Sequence, residues 1–334
     1  MVEADYQAKK VDLENRIRAL GPRVIPFWTR NRGEHNEDPQ ILRWRDMYPL
    51  LLEAGELITL GDEAFRRAFG GYQIVMPGEQ AAAHRHTASA VRFVVQGDGL
   101  GYTTSNGERM FMEPGDFLVQ PSMTWHDHGN LGKEPVVWMD FLDVELISPM
   151  EASFHEDWPD GNLQPAIHPE GYHTQLYGNV RPSRLIGAQV TSPADSPPIT
   201  YKWRDTQATL DRLVAEEEHD PHFGVMLEYA NPVTGGHTLP TMCATVQLLQ
   251  PGESTRPIRH TGWTRFNVVR GHGVTTVDEE NPTDLDWNDR DIMRIPHWRW
   301  YRHRNLSATE PAILFSISYS PLAESLGIYR EERS

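Results

Sequence analysis

The stretch PGEQAAAHRHTASAVRFVVQGDG, residues 77–99, returns as PGESTRPIRHTGWTRFNVVRGHG at residues 251–273, with ten identities in 23 positions and no gap. Further along the chain the match resumes with one added residue, and four positions are again identical: Pro121 with Pro296, Trp125 with Trp300, His128 with His303, and Asn130 with Asn305. An internal repeat of this length marks a duplicated structural unit. The sequence therefore predicts two similar domains in tandem.

Each repeat has the pattern of an antiparallel β domain. Short runs rich in β-branched and aromatic residues alternate with Gly, Asn and Pro, and in the first repeat they cover residues 91–95, 117–120 and 136–141. Such spacing is typical of sandwiches and barrels. Upstream of each repeat, Trp44-Arg45-Asp46 and Trp203-Arg204-Asp205 open a leucine-containing segment with helical spacing. We predict an all-β protein of two barrels with short helices before each.

These patterns also suggest domain limits. We expect a helical segment over residues 1–60, a first barrel over 61–190 and a second barrel over 191–334, with the Pro-rich stretch 148–200 as the linker. The boundary near residue 190 follows from the turn-forming sequence SPADSPP at 192–198.

Composition excludes several partners. Acidic side chains outnumber basic ones by 47 to 31, which gives a net charge of −16 and argues against nucleic acid and anionic membrane surfaces. There is no apolar run long enough to cross a bilayer, and the single cysteine, Cys243, forms no internal disulfide. The N-terminal stretch is charged and lacks the apolar core of a signal peptide. We expect a cytoplasmic protein with no nucleic-acid or membrane partner.

Histidines in the first repeat are spaced for metal binding. In a strand, residues two apart point to one face, so His84 and His86 can both reach one point inside a barrel. His126 follows 40 residues after His86 and supplies a third imidazole from another strand. With 15 histidines in the chain, one His-x-His pair is weak evidence by itself. The surrounding sequence strengthens this evidence, because turn-forming residues occur in a fixed order around the three histidines. These turn residues are Gly78, Gly97, Gly115, Pro121 and Asn130.

This ordered set resembles the two motifs of the cupin superfamily. Two positions depart from it: Ala90 stands where many cupins have a glutamate, and Met123 stands where they have a glycine. The missing glutamate argues against a manganese site of three histidines and one glutamate. The resemblance therefore implies a site of three histidines, His84, His86 and His126.

More narrowly, HRHT at 84–87, Arg92-Phe93 and TWHDHGN at 124–130 resemble the gentisate 1,2-dioxygenase group, whose relatives cleave salicylate, 1-hydroxy-2-naphthoate and 5-nitrosalicylate. The likeness covers most of residues 40–330. It implies an Fe(II) cofactor, an aromatic hydroxy acid and O2 as substrates, and ring opening between the carboxyl-bearing and hydroxyl-bearing carbons. It also implies a homo-oligomer, a tetramer in this group.

Residues near the metal have expected roles. Arg92 lies six residues after His86, so strand alternation keeps it inward, where its guanidinium can hold a substrate carboxylate. His128 shares a face with His126 and can donate a proton, although His303 repeats it in the other half, which fits a structural role equally well. The resemblance implies that Asp140 supports the site by orienting a histidine. It also implies three residues that line the substrate pocket: Phe69, Gly71 and Gln73.

The second repeat acts as an internal control. At the positions equivalent to the three ligands it has Ile258, His260 and Tyr301. One imidazole does not hold a divalent ion, so we expect the second barrel to be metal-free.

Segment length bears on the substrate. From Trp44 to His84 is 40 residues, whereas from Trp203 to Ile258 is 55, so the first half lacks a stretch around YANPVTGGHTLPTMC. A rebuilt pocket wall favours a 5-substituted salicylate, with 5-nitrosalicylate or gentisate as candidates. Two alternatives stay open: a bicupin isomerase, decarboxylase or hydrolase with another metal, and a non-enzymatic ligand-binding cupin.

Overall fold

The computed structural model describes residues 3–21, 24, 26, 38–58, 68–178 and 196–334. The helices are α1 (Glu3–Ala19), α2 (Trp44–Leu57), α3 (Val144–Ile147), α4 (Tyr172–Tyr177), α5 (Trp203–Ala215) and α6 (Ser320–Ser325). The strands of the first half and its flanks are β1 (Gln40–Leu42), β2 (Ala68–Phe69), β3 (Tyr72–Val75), β4 (Gln80–His86), β5 (Ala90–Gln96), β6 (Gly101–Ser105), β7 (Glu108–Met112), β8 (Phe117–Gln120), β9 (His126–Asn130), β10 (Val136–Leu142) and β11 (His155–Asp157). Those of the second half are β12 (Ile199–Tyr201), β13 (Val225–Glu228), β14 (Cys243–Leu249), β15 (Ile258–His260), β16 (Thr264–Arg270), β17 (Gly273–Val277), β18 (Thr283–Trp287), β19 (Ile292–Ile295), β20 (Tyr301–Asn305), β21 (Ala312–Ser318) and β22 (Glu331–Arg333).

Each barrel consists of one six-stranded and one five-stranded sheet. In the first barrel the strand orders are β12-β8-β5-β10-β3-β2 and β11-β4-β9-β6-β7. In the second they are β1-β19-β16-β21-β14-β13 and β18-β17-β20-β15-β22. Every named pair of strands is antiparallel, as alternation and turn spacing predict. The expected two-barrel fold with a helix before each barrel is confirmed.

The barrels exchange their edge strands. Strand β12, from the second half, pairs with β8 of the first barrel, and β1, from the N-terminal segment, pairs with β19 of the second. An aspartate of the receiving barrel accepts a hydrogen bond from the first backbone N–H of the helix that follows each exchanged strand. The distances are 2.8 Å from Trp203 N to Asp116 Oδ1 and 2.8 Å from Trp44 N to Asp291 Oδ1. The repeated Trp-Arg-Asp motif therefore marks helices α2 and α5. The opposite barrel binds the first turn of each helix, while the helices contact β3 and β13 of their own barrels.

The largest apolar core lies between the barrels. It includes the outer faces of both six-stranded sheets, where Phe93 stacks on Phe315 with ring centroids 4.1 Å apart. Two smaller clusters fill the barrel interiors. Burial of large aromatic side chains at such an interface makes it a major source of stability, so the two barrels stabilise each other.

The two expected domain boundaries are not among the described residues. The boundaries near residues 60 and 190 fall in 59–67 and 179–195, outside the described residues. Within the expected linker, the structure places β11 and α4. None of the described helices has the length and apolar composition needed to cross a bilayer.

Candidate metal centre and substrate pocket

His84 and His86 extend from β4 into the first barrel, and His126 joins them from the neighbouring strand β9. The register pairs His84 with His126. One ring nitrogen from each of the three imidazoles lies within 4.8 Å of the other two. The expected ligands therefore meet at one point, as strand alternation and antiparallel pairing require.

Backbone carbonyls orient all three rings through their Nδ1 atoms. His84 Nδ1 lies 3.2 Å from Ala82 O, His86 Nδ1 lies 2.7 Å from Ala88 O, and His126 Nδ1 lies 2.9 Å from Thr124 O. A carbonyl oxygen only accepts, so Nδ1 carries the hydrogen and the Nε2 lone pair faces the shared point. His126 Nε2 is buried, with no hydrogen-bond partner among the residues described. A metal ion would satisfy this orphaned atom, so the donor set fits a divalent cation.

Burial keeps these imidazoles neutral. Desolvation, together with repulsion from the neighbouring His86, lowers the pKa of His84 to about 3. Desolvation likewise lowers the pKa of His86 to about 4 and that of His126 well below its usual range. Neutral imidazole is the metal-binding form, so the site is ready for a cation at pH 7.

Arg92 and Asp140 form a buried pair beside the histidines. They are opposite each other on β5 and β10, and Arg92 Nε lies 3.3 Å from Asp140 Oδ1 without the alignment of a hydrogen bond. The Nε and Nη1 atoms of Arg92 are buried without hydrogen-bond partners in the described chain. Burial lowers the pKa of Arg92, while the nearby Asp140 carboxylate acts in the opposite direction. A buried guanidinium with unsatisfied donors is suited to an incoming carboxylate.

The structure places Asp140 beside Arg92 rather than beside the Nδ1 atoms of the three ligands. Its carboxylate faces Arg92, and the Nδ1 atoms of the three ligands face carbonyl oxygens instead. The reason is the strand register, which places Asp140 directly across from Arg92.

The three expected pocket residues lie on the first hairpin of this barrel. Gly71 forms the β2–β3 turn, and its carbonyl accepts a hydrogen bond from Asp140 N at 2.8 Å. Gln73 is 3% exposed and, by alternation with the outward Tyr72, faces the barrel interior. Gln247 has the equivalent register in the second barrel. Phe69 belongs to β2, but its side chain lies outside the described residues.

His128 and its counterpart in the second barrel, His303, both contact a threonine hydroxyl through Nδ1. His128 Nδ1 lies 2.8 Å from Thr103 Oγ1, and in the second barrel His303 Nδ1 lies 2.7 Å from Thr275 Oγ1. The His128 ring packs against that of Trp138 at 5.5 Å. The repeated His–Thr pair fits a structural role, to which the first barrel adds proximity to His126.

The second barrel has replaced the metal site with packing. Ile258 pairs with Tyr301 as His84 pairs with His126. The remaining His260 binds Thr264 Oγ1 through Nε2 at 3.0 Å, where the first barrel has Ala90. Phe266 and Ser316 form the pair equivalent to Arg92 and Asp140. Within the described ranges, the three-histidine group of the first barrel is the one cluster with metal-binding geometry.

One residue at the site has no signal in the sequence. His155 on β11 places its ring 5.3 Å from that of His84. It comes from the expected linker, in a polar segment without β-branched residues, so neither motif spacing nor strand propensity indicates it.

Comparison with known proteins agrees with this geometry. The cupin domain family matches residues 71–144 and 245–318, one match in each barrel. A 5-aminosalicylate 1,2-dioxygenase from Comamonas sp is 36% identical over 88% of this chain and 81% of its own length. Gentisate 1,2 dioxygenase 1 from Aquipseudomonas alcaligenes is 32% identical over 93% of both chains.

The fold comparison extends over the whole molecule. A salicylate 1,2-dioxygenase from Pseudoaminobacter salicylatoxidans, solved as adducts with gentisate, matches 100% of this chain and 94% of its own with a TM-score of 0.79 and 25% identity. Two barrels, a three-histidine cluster in the first, and relatives of this identity and coverage lead to one conclusion: the chain belongs to the cupin family of gentisate and salicylate-type 1,2-dioxygenases.

Proposed function

We propose that this protein is an Fe(II)-dependent dioxygenase that opens the ring of an aromatic ortho-hydroxy acid between its carboxyl-bearing and hydroxyl-bearing carbons. One observation carries the proposal: three convergent neutral imidazoles lie beside a buried arginine with unsatisfied donors. Membership of the 1,2-dioxygenase family supports the reaction type.

His84, His86 and His126 would hold the metal through Nε2. Three imidazoles without a carboxylate leave the full charge of a divalent ion available to an anionic chelating substrate, as in the related two-histidine, one-carboxylate sites of Fe(II) oxygenases. Bound iron supplies the one-electron chemistry that allows an aromatic ring to react with dioxygen. The carbonyls of Ala82, Ala88 and Thr124 contact the Nδ1 atoms and keep the imidazoles in the coordinating tautomer.

Arg92 is assigned to the substrate carboxylate. Its Nε and Nη1 atoms are the unsatisfied donors, and the Asp140 carboxylate, 3.3 Å from Nε, would hold the guanidinium in place. A charge-assisted hydrogen bond from Nη1 would fix the acid group and leave the ring edge facing the metal. Asp140 would therefore act through Arg92 as a positioning residue.

The remaining predicted site residues also have proposed roles. His128 would contact substrate or oxygen as a hydrogen-bond donor, because burial lowers its pKa well below the usual range and keeps the imidazole neutral. Its Thr103 contact would fix the ring for that purpose.

Gln73 would form part of the pocket wall. Phe69, by contrast, lies opposite the outward-facing Tyr72 in the β2–β3 register, and Gly71 forms the turn that joins these strands. Because the β2–β3 connection is a two-residue turn while β13–β14 is joined by residues 229–242, the first barrel has a shorter rim there.

That shorter rim supports a ring with a substituent at position 5. Gentisate and 5-nitrosalicylate are our leading candidates, and the 5-aminosalicylate relative is consistent with a substituent at this position. We also propose a cytoplasmic homotetramer, on family resemblance and on the charge and composition of the chain. Light scattering of the purified protein tests the assembly.

Oxygen consumption tests the function. The protein, reconstituted anaerobically with Fe(II), is assayed with gentisate, salicylate, 5-nitrosalicylate, 5-chlorosalicylate and 1-hydroxy-2-naphthoate. The proposal predicts one O2 per substrate with loss of aromatic absorbance, and faster turnover of a 5-substituted salicylate than of salicylate. A filled metal site with no oxygen uptake for any of the five would contradict it and favour a different cupin activity.

A further inference from the structure

We infer that His155, held by Asp157, positions the metal ligand His84, a role that rests on the metal site proposed above. Strand β11 is then part of the metal centre rather than of a connecting segment. His155 is a positioning residue, because it contacts a ligand and acts through it.

The strand register places His155 on the same face as the ligands. Strand β11 pairs with β4, with His155 opposite His86 and Asp157 opposite His84. Opposite residues of an antiparallel pair project to one face. The His155 ring stacks diagonally on that of His84, with centroids 5.3 Å apart and planes 25° apart. Such a contact restrains rotation of His84 about its side-chain bonds.

His84 has the longest carbonyl contact of the three ligands. Its Nδ1–carbonyl distance is 3.2 Å, compared with 2.7 Å for His86 and 2.9 Å for His126. Hydrogen bonds of this type weaken toward the longer distances. The stacked ring of His155 thus adds an orienting contact to the ligand with the weakest carbonyl contact.

Asp157 fixes the supporting ring. His155 Nε2 lies 2.9 Å from Asp157 Oδ1. The two side chains are 56% and 79% exposed, so solvent screens their charges. Their contribution is therefore orientation of the imidazole rather than an electrostatic effect on the metal.

Comparison with the second barrel distinguishes ligand positioning from simple pairing of the two strands. There β22 pairs with β15 as β11 pairs with β4, and an arginine–glutamate pair links the strands in each case. The pairs are Arg85 with Glu156 and Arg259 with Glu332. Docking is therefore common to both barrels.

The residue at the position of His155 differs between the two barrels. Glu331 lies opposite His260 where His155 lies opposite His86. An imidazole occupies this position in the barrel that has the ligands, and a carboxylate occupies it in the barrel that has lost them.

Cobalt(II) binding tests the inference without reference to turnover. The dissociation constant and the visible ligand-field spectrum are measured for the parent protein and for His155→Ala, His155→Phe and Glu156→Ala. We expect His155→Ala to weaken binding by about tenfold or more, the usual effect of losing a group that orients a ligand, and to change the spectrum. His155→Phe keeps a stacked ring but loses the bond to Asp157, so its affinity should lie between those of the parent and His155→Ala. Glu156→Ala, the matched control for strand docking, should bind cobalt nearly as the parent does.

Parent affinity and spectrum in His155→Ala would overturn the inference. Equal weakening in Glu156→Ala and His155→Ala would also overturn it, because strand docking would then explain both. A parent protein that takes up no cobalt would instead contradict the proposed function, together with the inference that depends on it.

Discussion

Arg92 and Asp140 occupy positions that the second barrel fills with Phe266 and Ser316. The double substitution Arg92→Phe with Asp140→Ser copies that natural pair, so it leaves no buried charge unpaired. We expect normal folding and metal content but a fall in kcat/KM of about a hundredfold or more, because each lost charge-assisted hydrogen bond is worth about 1.5–3 kcal/mol and each 1.4 kcal/mol is about tenfold. Steady-state kinetics measure it. Activity within about tenfold of the parent would show that Arg92 does not hold the substrate.

The ligand assignment predicts opposite results for two histidine variants. His84→Ala removes one of three ligands and should abolish metal binding. His260→Ala removes an imidazole already bonded to Thr264 and should leave metal content near one ion per chain. Metal analysis of the purified variants measures both, and metal loss in His260→Ala would contradict a single site in the first barrel.

Burial of the ligands predicts the pH dependence of metal affinity. Their lowered pKa values, about 3 for His84 and about 4 for His86, mean that protons compete with the metal only in strong acid. We expect affinity to stay constant as pH falls from 7 to about 5, where ordinary imidazoles would already be protonated. Titration with cobalt(II) across this range measures it. A decline beginning near pH 6.5 would indicate imidazoles with ordinary pKa values.

Among the individual site residues, the sequence predicted those whose positions depend on regular spacing along the chain. The His-x-His pair, His126 and Arg92 follow from alternation along strands and from a motif of fixed order. The carbonyls that orient the ligands follow from turn geometry, which residue identity does not specify. His155 depends on a polar strand 69 residues beyond His86, whose pairing with β4 only the folded chain determines.

The β2–β3 turn is the element that sets the rim of the first barrel. Gly71 has φ +96°, and a Cβ atom there would lie 2.6 Å from Arg265 Nη1 of the second half. Gly78 has a similar φ of +79° with open space around it, which makes it a matched control. We expect Gly78→Ala to cost about 1–2 kcal/mol of unfolding free energy from the left-handed backbone alone. Gly71→Ala should cost more.

Urea denaturation of the two glycine variants measures the difference. Arg265 stacks on Phe141 and Trp263, so its displacement disturbs the interface between the barrels. Equal losses for the two variants would show that Arg265 moves aside freely.

Strands formed by short runs of β-branched and aromatic residues were predictable, and 117–120 matches β8 residue for residue. Strand β11 was not, because His155-Glu156-Asp157 lacks every residue type that favours a strand. Pairing with β4 and the Arg85–Glu156 contact outweigh that low propensity.

Strand exchange makes the whole molecule one cooperative unit. Each barrel receives an edge strand from outside its own repeat, and the largest apolar core lies between the barrels. We expect a single unfolding transition that coincides for tryptophan fluorescence and far-ultraviolet circular dichroism. Two separated transitions would show that the barrels are independently stable. The repeat predicted two domains, but exchange between them depends on long-range pairing that periodicity does not encode.

If this protein is a ring-opening dioxygenase, both atoms of dioxygen enter the product. Mass spectrometry of the product formed by the Fe(II)-loaded protein from the best substrate of the panel, under isotopically labelled dioxygen, measures this. We expect a ring-opened acid that carries both labelled oxygen atoms. A product with one labelled atom and an intact ring, or one with none, would contradict it.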